Sequence, residues 1–216
     1  VLGDEGSVVF SNNGTQLDVT STSIVGGDDS ITIDGNGDTN TVMAGTNNGG
    51  TDSVQINVHN GMTSTDVVLG DNGQVTSNDG QLSQIQSTDL GAGGTDDIDL
   101  GNGDKVVVAG AGTDSVDAAE GNHIVMGDEA MMTFDANEQL QNAHSTSTNG
   151  DDDSITLGNG DNVVIAGVGA DDINTGNGDD VVMGDNGSIE WTNGELTQIT
   201  STDTVAGGND DSDLGN

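Results

Sequence analysis

Apolar and polar residues alternate along this chain in short runs that recur every nine residues. The clearest runs, GNGDNVVIA, GVGADDINT and GNGDDVVMG, follow one another without a gap from Gly158 to Gly184. In each run a Gly-rich stretch precedes a few residues of alternating character, which is typical of a short β-strand. Glycine permits the positive-φ turns that let a short loop reverse direction. The pattern therefore predicts many very short strands joined by tight loops.

A longer period of 57 residues contains these runs, because Val68, Val125 and Val182 open similar VLGD or VMGD segments at that spacing. Each 57-residue unit divides into four nine-residue runs and a 21-residue insert. The first copy is longer and irregular, and the last is partial. The predicted organisation is one continuous solenoid of unit 1 (residues 1–67), unit 2 (68–124), unit 3 (125–181) and a partial unit 4 (182–216), cut from a longer array.

The alternation within the runs predicts two unlike sheets around a thin aliphatic core. Positions seven and nine of a run are aliphatic and should face inward. The inward residues are Ile98, Leu100, Val107, Ala109, Val116, Ala118, Val125, Ile155, Leu157, Val164, Ala166, Ile173 and Val182.

The outward positions six and eight differ between the two sheets. They are polar in the first and third runs after each insert, so one sheet should be solvated and acidic. They are apolar in the second and fourth runs, so the other sheet needs a cover on its outer face. These apolar outward residues are Val106, Val108, Ile124, Met126, Val163, Ile165, Val181 and Met183.

The insert is predicted to form a β-hairpin. Asn193-Gly194 lies between two strand-like segments, and Asp79-Gly80 and Asn13-Gly14 occupy the same place in other copies. Such dipeptides favour the two-residue turns of hairpins.

The three aromatic residues of the chain, Phe10, Phe134 and Trp191, all fall on one position of the insert, where unit 2 has Ser77. A ring placed so regularly should have a packing partner. Two explanations are open: the hairpin folds over the apolar sheet of its own chain, or the ring docks on a neighbouring chain.

Composition limits the classes of partner that the chain can bind. Of 216 residues, 38 are acidic and one is basic, giving a net charge of -37. Nucleic acid is excluded as a partner, and so is an anionic membrane surface, because no basic patch exists to neutralise phosphate. No apolar run reaches the roughly 20 residues of a membrane span. Cations are the natural counterpart, and the absence of Cys favours hard, oxygen-binding ions.

The nine-residue pattern resembles the hemolysin-type repeat of the RTX family, whose consensus is G-G-x-G-x-D-x-U-x. The resemblance implies an all-β fold, a parallel β-roll or β-solenoid in which two repeats form one turn and the Gly-rich loops bind Ca²⁺. The β-hairpin-like insert of each 57-residue unit is additional. The chain departs from the consensus where the double Gly is missing and where position five is Lys105, His123 or Asn162 instead of Asp.

With two runs per turn, residues 18 apart should stack. Stacking would bring Asp96 beside Asp114 and Asp153 beside Asp171. Carboxylates stacked about 4.8 Å apart repel each other unless a cation lies between them. With loop carbonyls they would supply the six to eight oxygen ligands that Ca²⁺ prefers. Unit 1 offers Asp29 and Asp52 as an equivalent pair, and Asp210 is expected to need a partner beyond Asn216.

A second acidic set lies on the other loop edge, at Asp104, Asp161 and Asp179, with Asp180 beside the last. These residues either bind Ca²⁺ in a variant loop or cap a tight turn through their own side chains. Lys105 is expected to stand in for a cation in its turn.

Other polar residues are expected to be structural. Asp71, Asp128 and Asp185 open the inserts and are predicted to be turn residues. His59, His123 and His144 share no spacing, so we expect them to be solvent-exposed loop residues. No catalytic triad can be assembled from repeat positions, and the paired carboxylates recur without a distinct cleft, so no enzyme is predicted.

These features predict a calcium-binding structural segment of a secreted, extracellular fibre, adhesin or matrix protein that folds on binding Ca²⁺. Its partners would be copies of itself, stacked head to tail or associated laterally through the apolar sheet and the rings. The alternative is the calcium-folding secretion tail of an RTX-type exoenzyme or toxin. The regular insert favours the fibre. Ice or mineral binding would need a surface array such as repeated Thr-x-Thr, which the outward positions lack.

Overall fold

The computed structural model describes residues 1–11, 16–35, 37–58, 63–88, 90–148, 150–202 and 207–215. Within these ranges the chain is all-β, with three sheets. The described part contains no helix, and hence none long and apolar enough to span a membrane. The predicted turn at Asn13-Gly14 and the residue His59 lie outside the described residues.

Two of the sheets are built from parallel strands. The inner sheet comprises β4 (Thr41–Met43), β6 (Asp66–Leu69), β10 (Lys105–Val108), β12 (Ile124–Met126), β16 (Val163–Gly167) and β18 (Val181–Asp185). The acidic sheet comprises β3 (Ser30–Gly35), β5 (Thr51–Val58), β9 (Thr95–Leu100), β11 (Ser115–Ala118), β15 (Ser154–Leu157), β17 (Asp172–Asn174) and β21 (Asp211–Asp213).

The third sheet is antiparallel and is formed by the inserts. This hairpin sheet comprises β1 (Gly6–Phe10), β2 (Gln16–Ser21), β7 (Gly73–Asn78), β8 (Gln81–Ser87), β13 (Ala130–Phe134), β14 (Leu140–Ser145), β19 (Gly187–Thr192) and β20 (Glu195–Ser201). At Asp79-Gly80 and Asn193-Gly194 both residues have positive φ, between 53° and 85°. That is the geometry of a type I′ turn. The predicted hairpins are confirmed at both places.

The register shows how the inserts leave the stack. Ser115 on β11 pairs with Asp97 on one side, 18 residues earlier, and with Ser154 on the other, 39 residues later. The larger step equals the smaller one plus one 21-residue insert. The hairpin therefore protrudes from the loop, and the strands on either side of it stack as direct neighbours.

The first core lies between the inner and acidic sheets and is purely aliphatic. All the predicted inward residues belong to it, with Val182 as a half-buried member at one end. On the opposite face of the acidic sheet, alternate residues such as Asp97, Asp99 and Asp117 are exposed. The predicted alternation, and with it the placement of the core, is confirmed.

The second core lies between the inner sheet and the hairpin sheet. Val106, Val108, Met126 and Ile165 of the inner sheet pack there against hairpin residues, and the other four predicted outward residues are partly buried beside them. The hairpin residues of this core include Val19, Val75, Ile85, Met132, Ala143 and Ile189. The prediction that hairpins of the same chain cover the apolar sheet is confirmed.

The three rings have different surroundings. Phe134 is buried in the second core and Trp191 packs against it, as intrachain packing predicts. Phe10 is 58% exposed. It lies on β1, the outermost strand of the hairpin sheet, which has a paired neighbour on one side only. Exposure of this ring thus follows from its place in the sheet.

Candidate metal site at the first loop edge

The loops that lead from the inner sheet to the acidic sheet form the first loop edge. Each loop ends in an aspartate at or just before the start of the next strand. Together these residues form a column: Asp29, Asp52, Asp96, Asp114, Asp153, Asp171 and Asp210. Five of the seven are buried; Asp29 is half-buried and Asp210 is exposed.

One carboxylate oxygen of most column members accepts a main-chain hydrogen bond from the aspartate of the neighbouring turn. The N–H of Asp96 donates to Oδ1 of Asp114 at 2.8 Å, and the N–H of Asp153 donates to Oδ1 of Asp171 at 2.9 Å. The N–H of Asp29 donates to Oδ1 of Asp52 at 2.7 Å. The three predicted pairs are therefore neighbours in the structure.

The pairs are parts of one continuous column, which the sequence did not reveal. Oδ1 of Asp153 accepts the N–H of Asp114 at 2.9 Å across an insert. Oδ1 of Asp210 accepts the N–H of Asp171 at 3.2 Å. The expectation that Asp210 needs a partner beyond Asn216 is wrong, because the protruding insert lets it stack directly on Asp171.

The other oxygen of each buried column member is without a donor. Oδ2 is buried and accepts no hydrogen bond in Asp52, Asp96, Asp114, Asp153 and Asp171. A buried acceptor that loses its water and gains no partner costs about 1–3 kcal/mol, and more when it is charged. Five such atoms in one row therefore call for a shared partner, and a row of cations would supply it.

The pKa values of the column reflect the same lack of hydrogen-bond donors and positive charge. Burial, and next the charges of neighbouring carboxylates, raise the pKa of Asp96 to about 10. Burial is also the largest cause for Asp153, whose pKa rises to about 9, and for Asp114, whose pKa rises to about 7. The pKa of Asp52 and that of Asp171 rise to about 6. A cation that binds here would favour the ionised form and lower these pKa values again.

Asp71 and Asp128 belong to the same edge, although the sequence suggested only turn residues. Both are buried where the insert leaves the stack. Oδ2 of Asp71 accepts the N–H of Ala111 at 2.7 Å, and Oδ2 of Asp128 accepts that of Val168 at 2.6 Å, while Oδ1 of each has no donor. Burial raises their pKa to about 9 and about 8. The signal that could have identified them is the Gly-Asp pair that opens every insert at the same position.

Main-chain oxygens converge on this edge as well. An added Cβ at Gly70 would lie 2.2 Å from Oδ2 of Asp96 and 2.3 Å from the carbonyl oxygen of Ala109. The described ranges contain no group of three or more His, Asp or Glu side chains placed to hold a metal ion among themselves. A cation would therefore be held by one or two carboxylates together with carbonyls and water. Such a mixed set of hard oxygen donors suits Ca²⁺ better than Mg²⁺, which demands a tighter octahedron.

The loops that lead from the acidic sheet back to the inner sheet form the second loop edge, and hydrogen bonds join its acidic residues to the neighbouring loops. Asp104, Asp161 and Asp179 are exposed, and each accepts or donates in a ladder of side-chain to main-chain hydrogen bonds that includes Asn122. In Asp180, Oδ1 accepts the N–H of Asn162 at 2.9 Å and Oδ2 accepts the Thr175 hydroxyl at 2.9 Å. This arrangement has the form of the turn-capping alternative.

The histidines are not equivalent. His123 is fully buried, so the expectation of an exposed loop residue is wrong for it. It occupies position five of its run, as Lys105 and Asn162 do, and its Nε2 lies 2.7 Å from the carbonyl oxygen of Ala119. His144 is half-buried, and its Nδ1 lies 2.8 Å from Oδ1 of Asn142.

The fold and this edge together define an all-β repeat chain with a column of buried, partly unpaired carboxylates. No known protein family, no curated protein and no solved structure matches the chain.

Without metal, the fold should be more stable in acid than at alkaline pH. In the unfolded chain these carboxyls have a pKa near 3.8, whereas in the folded chain the values range from about 6 for Asp171 to about 10 for Asp96. Because the folded pKa values are raised, the stabilisation is complete below about pH 3.8 and is lost as the pH rises through 6 to 10. In calcium-free buffer we expect Tm to fall as the pH rises from 5, until no folded chain is left to melt near pH 7.5. A Tm that is constant or rises over this range would contradict the burial of the column.

Proposed function

We propose that this chain is a calcium-binding structural repeat segment, a parallel β-roll or β-solenoid of the RTX type, that folds when it binds Ca²⁺. The observation that carries the proposal is the row of buried Oδ2 atoms without donors in Asp52, Asp96, Asp114, Asp153 and Asp171. The neighbouring groups whose charges raise the pKa of Asp96 and Asp153 are all carboxylates, so the row lacks a counter-charge. Ca²⁺ supplies positive charge and can be coordinated by these oxygen atoms.

Charge supports the same proposal. The net charge is -37, and the single Lys forms an ion pair with Asp66 on the second loop edge. The chain therefore has no second Lys and no Arg to offer the first loop edge. Neutralisation must come from protons or from ions in solution, and near neutral pH a divalent cation is the more effective of the two.

Folding and binding would be coupled in this mechanism. When Ca²⁺ is scarce, like charges oppose the stacking of turns and the chain stays open. At the millimolar Ca²⁺ of extracellular fluid, a site with a Kd of about 10⁻⁴ M adds about 1.4 kcal/mol to the stability, and several sites add together. The chain would thus be secreted unfolded and fold outside the cell.

A fibre, adhesin or matrix protein is the setting that we propose for such a segment. The outer face of the acidic sheet exposes Asp97, Asp99, Asp117 and Asp172, which keep the rod hydrated. Stacked parallel strands can be extended by further turns, because the outermost strands of each sheet present main-chain donors and acceptors. Further copies of the repeat, stacked head to tail, are the partners that this geometry favours.

Far-ultraviolet circular dichroism of the chain tests the proposal. We expect a β-sheet spectrum in 2–5 mM Ca²⁺, as an order of magnitude for extracellular modules, and a disordered spectrum after addition of excess EGTA. Mg²⁺ at the same concentration is the control and should restore much less structure. A β-sheet spectrum that EGTA leaves unchanged at pH 7.5 would refute calcium-dependent folding.

A further inference from the structure

The second loop edge contains a buried cation of its own. The ammonium group of Lys105 is fully buried. Its Nζ donates to Oδ2 of Asp66 at 2.9 Å, to the hydroxyl of Ser64 at 2.9 Å, and to the carbonyl oxygens of Ser64 at 2.8 Å and Asn102 at 3.1 Å. The expectation that Lys105 supplies a cation to its turn agrees with these contacts.

The oxygens around Nζ are those of a metal site. They comprise one carboxylate, one hydroxyl and two main-chain carbonyls, from loops of two neighbouring turns. Hard oxygen donors of this kind bind Ca²⁺ in flexible loops. A side-chain ammonium can satisfy them because it carries positive charge and three N–H donors, one of which two of the four oxygens must share.

Asn162 and His123, which occupy the same position five of their runs as Lys105, also present N–H groups to loop oxygens. Nδ2 of Asn162 donates to the carbonyl oxygens of Gly160 and Thr175, both at 3.0 Å, and to Oδ1 of Asp180 at 2.9 Å. Nε2 of His123 lies 2.7 Å from the carbonyl oxygen of Ala119, to which it must donate because a carbonyl only accepts. On the first loop edge the corresponding residues are all aspartates, which offer no donor.

We propose that Lys105 fills a divalent-cation site of this chain with its own ammonium group, so that the two neighbouring loops at Ser64 and Asn102 are held together without metal. The proposal rests on the proposed function only for the identity of the ion that would otherwise bind. It divides the molecule into a first loop edge that needs Ca²⁺ and a second loop edge whose cation is built into the chain.

Lys105→Asp tests this assignment by opening the site. The shorter side chain vacates the space of Nζ and adds a second carboxylate opposite Asp66, beside the Ser64 hydroxyl and the two carbonyls. We expect the variant to bind one Ca²⁺ ion more than the wild type, counted by native mass spectrometry and by calorimetric titration of the full chain. Lys105→Met is the matched control. It keeps the length of the side chain and loses the charge, and it should gain no ion.

The outcomes separate this inference from the proposed function. If Lys105→Asp binds the same number of ions as the wild type, the proposal that Lys105 fills a cation site, here called the masked site, is refuted. This holds whatever the first loop edge binds. If the wild type binds no Ca²⁺ and the variant binds one, the proposed function fails and the masked site stands.

A measurement on the wild type covers the case in which Lys105→Asp does not fold. Crystals soaked in Tb³⁺ would locate bound ions by anomalous scattering. No terbium within about 4 Å of the Ser64 carbonyl oxygen is the expected result, since Nζ excludes an ion there. A terbium peak at that position, with Lys105 displaced, would overturn the proposal.

Discussion

Replacing Asp114 with Asn is expected to have opposite effects in the presence and absence of calcium. The amide of Asn can keep the hydrogen bond that Oδ1 accepts from the N–H of Asp96 at 2.8 Å. It replaces Oδ2, which is buried without a donor, by an NH₂ group. Without metal this removes a buried carboxyl whose pKa is raised to about 7, so the variant should be more stable than the wild type.

With calcium the same substitution removes a ligand. Loss of a group that only supports a ligand typically lowers metal affinity 10–100-fold, so we expect at least about a 100-fold loss at the sites that Asp114 serves. The concentration of Ca²⁺ at half-folding should rise accordingly. The two measurements are a calcium titration followed by circular dichroism near neutral pH and a urea denaturation in calcium-free buffer at pH 5, where the metal-free chain is expected to be folded.

Asp117→Asn is the matched control for Asp114→Asn. Asp117 lies three residues later on β11, is exposed on the outer face of the acidic sheet, and its substitution removes the same charge. It should leave both curves close to those of the wild type. If the two variants shift the calcium titration equally, general charge rather than a site at the first loop edge drives folding.

The nine-residue alternation was sufficient to predict both cores. Positions such as Ile98 and Val107 had to face one another because side chains on a strand alternate between two faces. The apolar outer face of the inner sheet predicted a cover, and the insert was the nearest candidate for it, with a neighbouring chain as the alternative. These features depend on local pattern and on the need to bury apolar surface, both of which the sequence contains.

The continuous column could not be predicted from spacing alone. Asp114 and Asp153 are 39 residues apart and hydrogen-bonded, since the 21-residue insert protrudes and contributes no turn to the stack. Asp71 and Asp128 were missed for a related reason. They open the insert in the sequence, yet their side chains point back into the loop edge, where they accept main-chain hydrogen bonds from the following turn. Whether the first residue of an insert packs in the hairpin or in the first loop edge depends on tertiary packing. The repeat pattern does not contain that information.

Gly127→Ala should destabilise the chain by about 1–3 kcal/mol through overpacking, and should weaken calcium binding in addition. A Cβ at this position would lie 2.3 Å from the carbonyl oxygen of Ala166 and 2.4 Å from Oδ2 of Asp153. The carbonyl cannot move freely, because it accepts the N–H of Asp128 at 3.1 Å. The strain is therefore relieved by displacing Oδ2 of Asp153, one of the atoms proposed to bind the ion.

Gly35→Ala is the control, because a Cβ at Gly35 would meet its nearest atom, the carbonyl oxygen of Asn57, at 3.8 Å. Urea denaturation of both variants in saturating Ca²⁺ gives the comparison, with the midpoint of Gly127→Ala well below that of Gly35→Ala. Equal midpoints would mean that the loop at Gly127 relaxes at little cost. The Asp153 carboxylate and the Ala166 carbonyl would then not be held rigidly beside it. Repeating the measurement in calcium-free buffer at pH 5, well below the pKa of about 9 of Asp153, isolates the steric part of the effect, since the part that acts through the ion should then vanish.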